Sequence, residues 1–443
     1  MSQRELLPPV DQDAEQAFDP YLLRLVELER AARALDLEDP VLEQMRHAEL
    51  EATIHLPGGR ADGAAAGLTA LQCLCAPSSP AIVEFAIAPD AYLNQVRASA
   101  LLNDLSCALL RLNWRGGGAG LIFDASQYSE RETRRLLRRY GEAVQRILPD
   151  CFAVSRIYGG NSAIHGWLGN DLRQFSSRFG VAVPQAEAQW ERLGRWIAEL
   201  TRAFAAYVPA GANTALAGEP GHIEIRTCAI QGCAGLGMAA ARALSGTTAR
   251  REAETGSKSL LARFASRGAQ VVMMSDSSGA VFNEAGLDLA RLEAHVAREQ
   301  VLFGYSGGEH AYGADLPLCE CDLLVLQAPM QVTARNADGV RAKMVVECVP
   351  DGASYDAKTR LAANGVEVIP EVLVRCGPVL LAAADSQAWA LPESRLPALL
   401  RQSARQLRAE LAESARAWNT SLARAALMLA VERRATQIRR AGL

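Results

Sequence analysis

Hydrophobic positions divide the first part of the chain into a helical stretch and a stretch of short strands. Apolar residues recur at helical spacing across 14–50 and predict helix there. Residues 51–122 instead alternate short apolar runs with Gly, Pro and Ser breaks, a pattern that predicts buried strands. The clearest of these strands is 82–88, and one helix is expected near 91–112.

A polar, arginine-rich helix follows at 129–147. Ser129 stands three residues before Glu132, which is the signature of a capping box at a helix N-terminus. The arginines of this helix favour a solvated or subunit-facing surface over a nucleic-acid interface. A second, longer helix is predicted at 185–207, and a linker rich in Gly and Pro follows at 209–221.

From 223 onwards the pattern changes to short β-branched runs separated by helical or loop segments. These runs are 223–230, 269–275, 321–328, 342–349 and 366–374. Strands that alternate with helices predict a mainly parallel sheet with helices on both faces. The fold class is therefore α/β, and the alanine- and leucine-rich segment 391–443 adds helices at the C-terminus.

Composition excludes several classes of protein. The 443 residues carry 46 basic and 50 acidic side chains, for a formal net charge of −4, so no electrostatic footprint for nucleic acid is expected. Neither a long apolar span nor a basic-then-apolar leader is present in the sequence, which predicts a cytoplasmic protein without a membrane partner. The ten cysteines favour reduced thiols. The pairs Cys73/Cys75 and Cys319/Cys321 lack further ligands at zinc spacing, so no metal site is predicted.

Lysine is almost absent. Only Lys258, Lys343 and Lys358 occur, so no lysine lies in residues 1–257. A GC-rich genome is sufficient to explain the preference for arginine. Whatever its origin, this bias means that no chemistry in the first half of the chain uses a lysine amine.

The segment after strand 223–230 has the form of a dinucleotide fingerprint, written here G-x-A-x-x-G. The candidate cofactor-binding residues are Gly232, Ala234, Gly235, Leu236 and Gly237, with Asp276 and Ser277 after the next strand. Glycines permit the tight turn and the close approach of backbone to a diphosphate, and a carboxylate after the second strand commonly holds a ribose. The spacing to the carboxylate is long because 245–259 reads as an exposed insertion. The alternative is an inherited Rossmann fold with an empty or altered site.

Several collinear segments resemble the glutamate/leucine/phenylalanine/valine dehydrogenase family. They are RALDLEDPVLEQMRHAELEATIHLP (33–57), the glycine-rich region 88–132, the fingerprint itself, VVMMSDSSGAVFNEAGLD (271–288), RNADGVRAKMVVE (335–347) and LMLAVERRA (427–435). The resemblance implies a two-domain dehydrogenase architecture. It comprises a substrate-binding or oligomerisation domain over 1–184, a Rossmann-like NAD(P)-binding domain over 185–375, and C-terminal helices over 376–443 that pack back between the two domains.

The family's catalytic groups are missing from this sequence. Its K-G-G-I-R motif falls on 82–86, so Ile82 stands at a substrate-binding lysine, while Ser106 and Gly118 stand at the other two lysines. The catalytic aspartate falls on Ile157 when the segment is anchored on its neighbouring residues. No catalytic residue is therefore predicted. The pocket has gained Arg156 and Arg375, which are candidate anion-binding residues for a small acid.

Two further pocket residues, Tyr158 and His165, are weaker acid/base candidates, because a histidine beside Trp167 is more often packed than catalytic. The leading hypothesis is a catalytically degenerate homologue that serves as an assembly, regulatory or ligand-binding protein. It would form a hexamer-type homo-oligomer, or a hetero-oligomer with an active paralogue. The alternatives are a repurposed oxidoreductase or ligand-binding enzyme that uses NAD or NADP on an unusual amino or keto acid, and a dehydrogenase of low activity.

Overall fold

The first half of the chain forms a five-stranded sheet and the second half a seven-stranded sheet. The computed structural model describes residues 19–59, 65–148, 151–175, 186–206, 223–246, 268–386 and 391–442. The predicted linker at 209–221 and most of the predicted insertion at 245–259 lie outside these residues.

The N-terminal region begins with two helices and then builds its sheet. Its elements are α1 (Pro20–Ala34), α2 (Asp39–Arg46), β1 (Leu50–Gly59), β2 (Ala65–Leu74), β3 (Ala81–Ile87), α3 (Leu93–Leu109), β4 (Arg115–Ile122), α4 (Glu130–Val144), β5 (Phe152–Gly159) and α5 (Ser162–Phe175). The capping box predicted at Ser129 and Glu132 is present at the start of α4. The helix predicted over 14–50 divides into α1 and α2, because Asp36 adopts a left-handed conformation between them.

The strand order of this sheet is β1-β2-β4-β3-β5. Strands β3, β4 and β5 are parallel, β2 pairs antiparallel with β4, and β1 pairs antiparallel with β2 at the edge of the sheet. One face of the sheet buries an apolar cluster against α4 and α5. The other face packs against α3, which approaches β4 over two glycines: a β-carbon at Gly116 would overlap the carbonyl oxygen of Ala100, and one at Gly118 that of Val96.

The second sheet has the strand order β12-β11-β10-β6-β7-β8-β9. Its elements are α6 (Ala186–Ala205), β6 (Thr227–Gln231), α7 (Gly235–Leu244), β7 (Gln270–Asp276), β8 (Gly279–Phe282), α8 (Leu289–Glu299), β9 (Glu309–Ala311), β10 (Leu323–Leu326), β11 (Met344–Glu347), α9 (Tyr355–Ala363) and β12 (Glu367–Ile369). Each of the five parallel strands overlaps one of the five predicted runs. The antiparallel strands β8 and β9 were not predicted.

One predicted strand is partly wrong. The run 366–374 changes conformation in its middle, because β12 ends at Ile369 and helix α10 (Glu371–Asp385) begins after Pro370. Proline at a helix start and an acidic residue in the first turn both favour helix initiation. The predicted domain boundary between 375 and 376 therefore falls inside a continuous helix.

Two further helices, α11 (Leu396–Ala417) and α12 (Leu422–Ala441), complete the chain, as predicted for 391–443. Helix α12 returns to the N-terminal region and packs against α1 and α3. There the guanidinium of Arg434 lies 2.8 Å from the Asp104 carboxylate, which also accepts hydrogen bonds from Arg115 and from the Gly116 backbone. These two arginines hold the pKa of Asp104 below its usual range despite the opposing effect of burial. The C-terminal helix is thus fastened to the first domain by a buried ion pair.

We expect Gly116→Ala to destabilise the protein. The added methyl group overlaps the backbone of α3, and overpacking of this kind costs about 1–3 kcal/mol or more. The matched control is Gly166→Ala in α5, where a β-carbon meets nothing within 4 Å and the residue is exposed. Urea or thermal unfolding should show a clear loss of stability for Gly116→Ala and an unchanged or slightly increased stability for Gly166→Ala. Equal stability of the two variants would contradict the close packing of α3 on β4.

Candidate functional site

The predicted dinucleotide turn is present at the carboxyl end of β6. Gly232 follows the strand with a φ of +91°, a conformation that favours glycine. A β-carbon at Gly237 would overlap the carbonyl oxygen of Gly232, so the first turn of α7 packs tightly on the loop. The side chain of Gln327, at the end of β10, closes over this turn and donates to the carbonyl oxygen of Gln231. The backbone thus keeps the shape that the fingerprint requires.

The N-terminus of α7 is bordered by an aromatic ring. Ala234 is the N-cap, Gly235 is exposed, and Leu236 is half-buried. The indole of Trp190, on α6, lies about 3.7 Å from the position that a β-carbon of Gly235 would take. A diphosphate bound at this helix terminus would therefore share its site with the indole.

The carboxylate of Asp276 lies at the end of β7, as predicted, but both of its oxygens already accept hydrogen bonds. One oxygen accepts from the backbone and side chain of Ser278, and the other accepts from the Leu302 backbone at 2.7 Å and from the Cys233 thiol at 3.4 Å. These bonds lower the pKa of Asp276, although partial burial opposes the shift. Ser277 is exposed beside it. A ribose held here would have to compete with bonds made inside the chain.

The two positions that the resemblance assigns to substrate-binding lysines, Ile82 and Ser106, are filled by packed side chains. Ile82 is fully buried in an apolar cluster that joins β3, α3, β5 and α10. The other members of the cluster are Cys107, Leu112, Trp114, Ala153, Val379, Ala382 and Ala383. The Ser106 hydroxyl is also fully buried and donates to the carbonyl oxygen of Val372 at 3.2 Å. Helix α10 therefore lies directly against both positions.

Gly118, at the position that the resemblance assigns to the catalytic lysine, has no space for a side chain. The carbonyl oxygen of Val96 on α3 occupies the place of a β-carbon. Any side chain here requires the backbone of α3 to move. The absence of lysine is thus built into the packing of the sheet.

Ile157, at the position assigned to the catalytic aspartate, faces away from the cleft. It is fully buried in the cluster beneath α4 and α5. A bulge shifts the pairing of β3 with β5 between Val83 and Glu84, so Glu84 lies opposite Arg156 rather than Ser155, and Arg156 takes the side of the sheet that faces α10. Counting residues from sequence anchors could not reveal this bulge.

The two candidate anion-binding residues, Arg156 and Arg375, come together in the cleft, which is the region between the first sheet and α10, and bind carboxylates of the chain itself. Arg156 Nε and Arg375 Nη1 each lie 2.8 Å from the same oxygen of Glu84. The other Glu84 oxygen accepts from the Ser99 hydroxyl at 2.7 Å. Arg375 Nε also donates to Glu371, one helical turn earlier, at 2.5 Å. We call Glu84, Arg156, Glu371 and Arg375 the cleft cluster.

The cleft cluster joins the two halves of the molecule. Glu84 and Arg156 lie on β3 and β5 of the first sheet, whereas Glu371 and Arg375 lie on α10. All four are more than 95% buried. Although burial opposes ionisation, the two arginines hold the pKa of Glu84 at about 2. Both arginines were predicted from the sequence, but neither carboxylate was; the spacing of Glu371 and Arg375, at i and i+4, was the one available signal.

The two acid/base candidates occupy different environments. Tyr158 is half-buried between Arg156, whose guanidinium lies 4.9 Å from its ring centroid, and Trp190, at 6.4 Å. Burial raises the pKa of the Tyr158 hydroxyl. His165 is buried, and its Nε2 lies 2.6 Å from the carbonyl oxygen of Gly159 on its own loop. His165 thus holds the loop after β5 in place, whereas Tyr158 lies between the cleft cluster and Trp190, the ring that borders the turn after β6.

A second charged group lies between α1 and the end of β11. Arg24 binds Asp351 and Glu27, and Lys358 lies 3.1 Å from the fully buried Glu347. One of the chain's few lysines is therefore committed to an internal ion pair.

The cysteine pairs show no metal-binding geometry. Across the described ranges, no three His, Cys, Asp or Glu side chains gather as a group that could hold a metal ion. Cys319 and Cys321 interact with each other beside β10, and Cys73 is buried at the end of β2. In the described part of the chain, no helix is long and apolar enough to cross a membrane.

Glu84 gives the protein a predicted acid sensitivity. Because its pKa is about 2 when folded and close to 4.3 in an unfolded chain, its ionisation stabilises the fold above about pH 5, and this contribution disappears as the pH falls towards 2. It amounts to roughly 3 kcal/mol. In chemical unfolding between pH 7 and pH 3, Glu84→Gln should be less stable at neutral pH and approach wild type in acid. The exposed Glu130→Gln serves as the control, and parallel curves for Glu84→Gln and wild type would refute the assignment.

Comparisons with known proteins agree with this architecture. The family model "Glutamate/Leucine/Phenylalanine/Valine dehydrogenase" matches residues 257–442, and that of the "Glu/Leu/Phe/Val dehydrogenase, dimerisation domain" matches 77–157. Together the matches cover more than half of the chain. Glutamate dehydrogenase A2 of Halobacterium salinarum is 24% identical over 372 residues, which are 81% of each chain. The NADP-specific glutamate dehydrogenase of Synechocystis is 27% identical over 66% of this chain and 65% of its own.

Solved structures show the same fold. The hetero-hexameric glutamate dehydrogenase of Thermus thermophilus, in its Leu-bound form, superposes with a TM-score of 0.79 at 20% identity and covers 99% of both chains. The glutamate dehydrogenase of Peptoniphilus asaccharolyticus gives 0.70 at 18% identity and covers 96% of this chain and 100% of its own. The sequence matches and the shared two-domain architecture lead to one conclusion: the chain belongs to the Glu/Leu/Phe/Val dehydrogenase family.

Proposed function

We propose that this protein is a subunit of a glutamate dehydrogenase-type assembly that does not itself oxidise amino acids. One observation carries the proposal: the positions of the family's three lysines are closed by packing. Ile82 lies in an apolar cluster, Ser106 is bonded to the backbone of α10, and Gly118 touches the backbone of α3. A substrate carboxylate finds no lysine at any of the three.

The expected loss of rate is large. A missing general acid or base typically lowers the rate by about 10²–10⁴-fold, and missing electrostatic stabilisation lowers it by a further two or three orders of magnitude. Residues that act as a unit do not contribute additively, so these factors are not multiplied. The arginines nearest to the cleft do not replace the lysines, because Glu84 and Glu371 already neutralise them. Turnover of a 2-amino acid is therefore not expected.

Support for an assembly role comes from the first domain and from a relative. The domain matches a dimerisation-domain model, and the Thermus thermophilus relative is described as hetero-hexameric. Strand β1 lies at the edge of its sheet, and its ten residues leave one side free of pairing within the sheet. A long free edge is a natural place for pairing with another chain. The assembly we propose is a hexamer-type homo-oligomer, or a hetero-oligomer with an active paralogue in the cytoplasm.

A second candidate function is the binding of NAD or NADP as a ligand, in a repurposed enzyme or a sensor. The observation in its favour is the preserved turn, in which Gly232 has a positive φ and Gly237 packs on it. The backbone N–H groups of 234–236 would hold the diphosphate, and Asp276 would approach a ribose. A bound nicotinamide would supply hydride chemistry. The chain's contribution would be to bind and orient it beside Tyr158 and Trp190.

We predict no measurable reduction of NAD or NADP by the purified protein with any of the twenty common amino acids. The assay follows nicotinamide absorbance, with an authentic glutamate dehydrogenase as positive control. In parallel, titration with NADH and NADPH by fluorescence separates the two candidates. Dinucleotide binding without turnover favours the ligand-binding function. Turnover of an amino acid at a rate typical of the family would refute the main proposal.

We further predict that the protein forms oligomers, alone or with the glutamate dehydrogenase of the same genome. Native mass spectrometry of the two chains, expressed separately and together, measures this directly. A mixed hexamer, or a homo-oligomer of this chain, is the expected result. A chain that stays monomeric in both samples at micromolar concentration would contradict the assembly role.

A further inference from the structure

The cleft cluster contains a complete set of groups for recognising a carboxylate. Two guanidinium groups and one hydroxyl, from Arg156, Arg375 and Ser99, converge on the carboxylate of Glu84 at 2.7–2.8 Å. Charge-assisted hydrogen bonds from arginine are the strongest that proteins offer to a carboxylate. The same donors would bind the carboxylate of a free acid equally well if Glu84 were absent.

Glu84 stands at a position where the resemblance predicts a residue without a side chain. In the motif that aligns with 82–86, the family carries a glycine at the position of Glu84, whereas this chain carries a side chain that reaches across the cleft. The two arginines it meets lie on different parts of the molecule, β5 and α10. A residue of the first sheet therefore bridges the two halves with its own carboxylate.

We propose that Arg156 and Arg375 form a carboxylate-binding site and that Glu84 is its built-in ligand, which keeps the cleft closed and excludes free acids. This inference is independent of the proposed assembly role. It assigns the site a ligand class, small monocarboxylates, and gives the reason why none enters the wild-type protein.

The charges of the cluster support this assignment. The two arginines are balanced by Glu84 and Glu371, so the four residues are neutral together. Glu371 cannot replace Glu84, because it already binds Arg375 at 2.5 Å and lies 3.6 Å from Arg156. Without Glu84 one positive charge is left uncompensated at a site that is almost fully buried. A buried, unpaired charge is strongly unfavourable, so an external anion of the right shape is expected to bind.

The test is chemical rescue of Glu84→Ala. This substitution removes one methylene and one carboxylate, which together have the size of an acetate ion. We expect the melting temperature of the variant to fall by on the order of 5 °C or more and to recover in a saturable manner with sodium acetate. Sodium chloride at equal ionic strength and neutral acetamide should not restore it. Wild type should not respond to acetate beyond its response to chloride.

A matched control is Asp385→Ala. Asp385 also binds an arginine, Arg192, through both oxygens, but this pair is partly exposed. This variant should show the same response to acetate as to chloride. If Glu84→Ala also fails to distinguish acetate from chloride, the proposed site does not exist.

A second pair of variants covers the case in which Glu84→Ala does not fold. Glu84→Gln keeps the shape of the side chain but leaves the positive charge uncompensated, whereas Glu84→Gln combined with Arg375→Gln restores neutrality between Arg156 and Glu371. The double variant should be more stable than the single one. If it is less stable, the arginines do not depend on Glu84 for their charge balance, and the proposal is wrong.

Discussion

The structure depends on one constraint: a charge removed from water must be paired. Two arginines on different parts of the chain, Arg156 and Arg375, are buried in the cleft, and each is balanced by a carboxylate. Breaking a buried pair by removing one partner typically costs about 3–5 kcal/mol, since the other charge then remains unpaired. Separating α10 from the first sheet would break the contacts of Arg375 with Glu84 and of Arg156 with Glu371, and it would expose all four groups to water. The burial of these charges as a neutral group therefore favours the closed arrangement of α10 on the first sheet.

Close packing also holds α3 and α10 against the first sheet. Helix α3 lies on β4 with no side chain between them at Gly116 and Gly118, and α10 seals the apolar cluster around Ile82. At the C-terminus, Arg434 ties α12 to Asp104. The region between the first sheet and α10 is thus filled by helix packing at one end and by ion pairs at the other.

Local patterns were sufficient to predict the parallel strands, the capped helix α4 and the turn at Gly232, because each is determined by residues close together in the sequence. The pattern failed where one apolar run served two elements, as on either side of Pro370, and where strands were as short as β9. The partners of Arg156 could not be predicted, because Glu84 is 72 residues away and meets it only after the sheet has formed. The bulge that turns Ile157 away from the cleft likewise depends on how β5 pairs with β3.

The contact between Gly118 and the carbonyl oxygen of Val96 has a consequence for protein engineering. A lysine introduced at this position alone would clash with α3, and a lysine introduced at Ile82 alone would place an ammonium group in an apolar cluster. Each substitution is harmful unless the neighbouring helix moves with it. Placing lysines at these two positions therefore requires the packing of α3 and α10 on the first sheet to be redesigned at the same time.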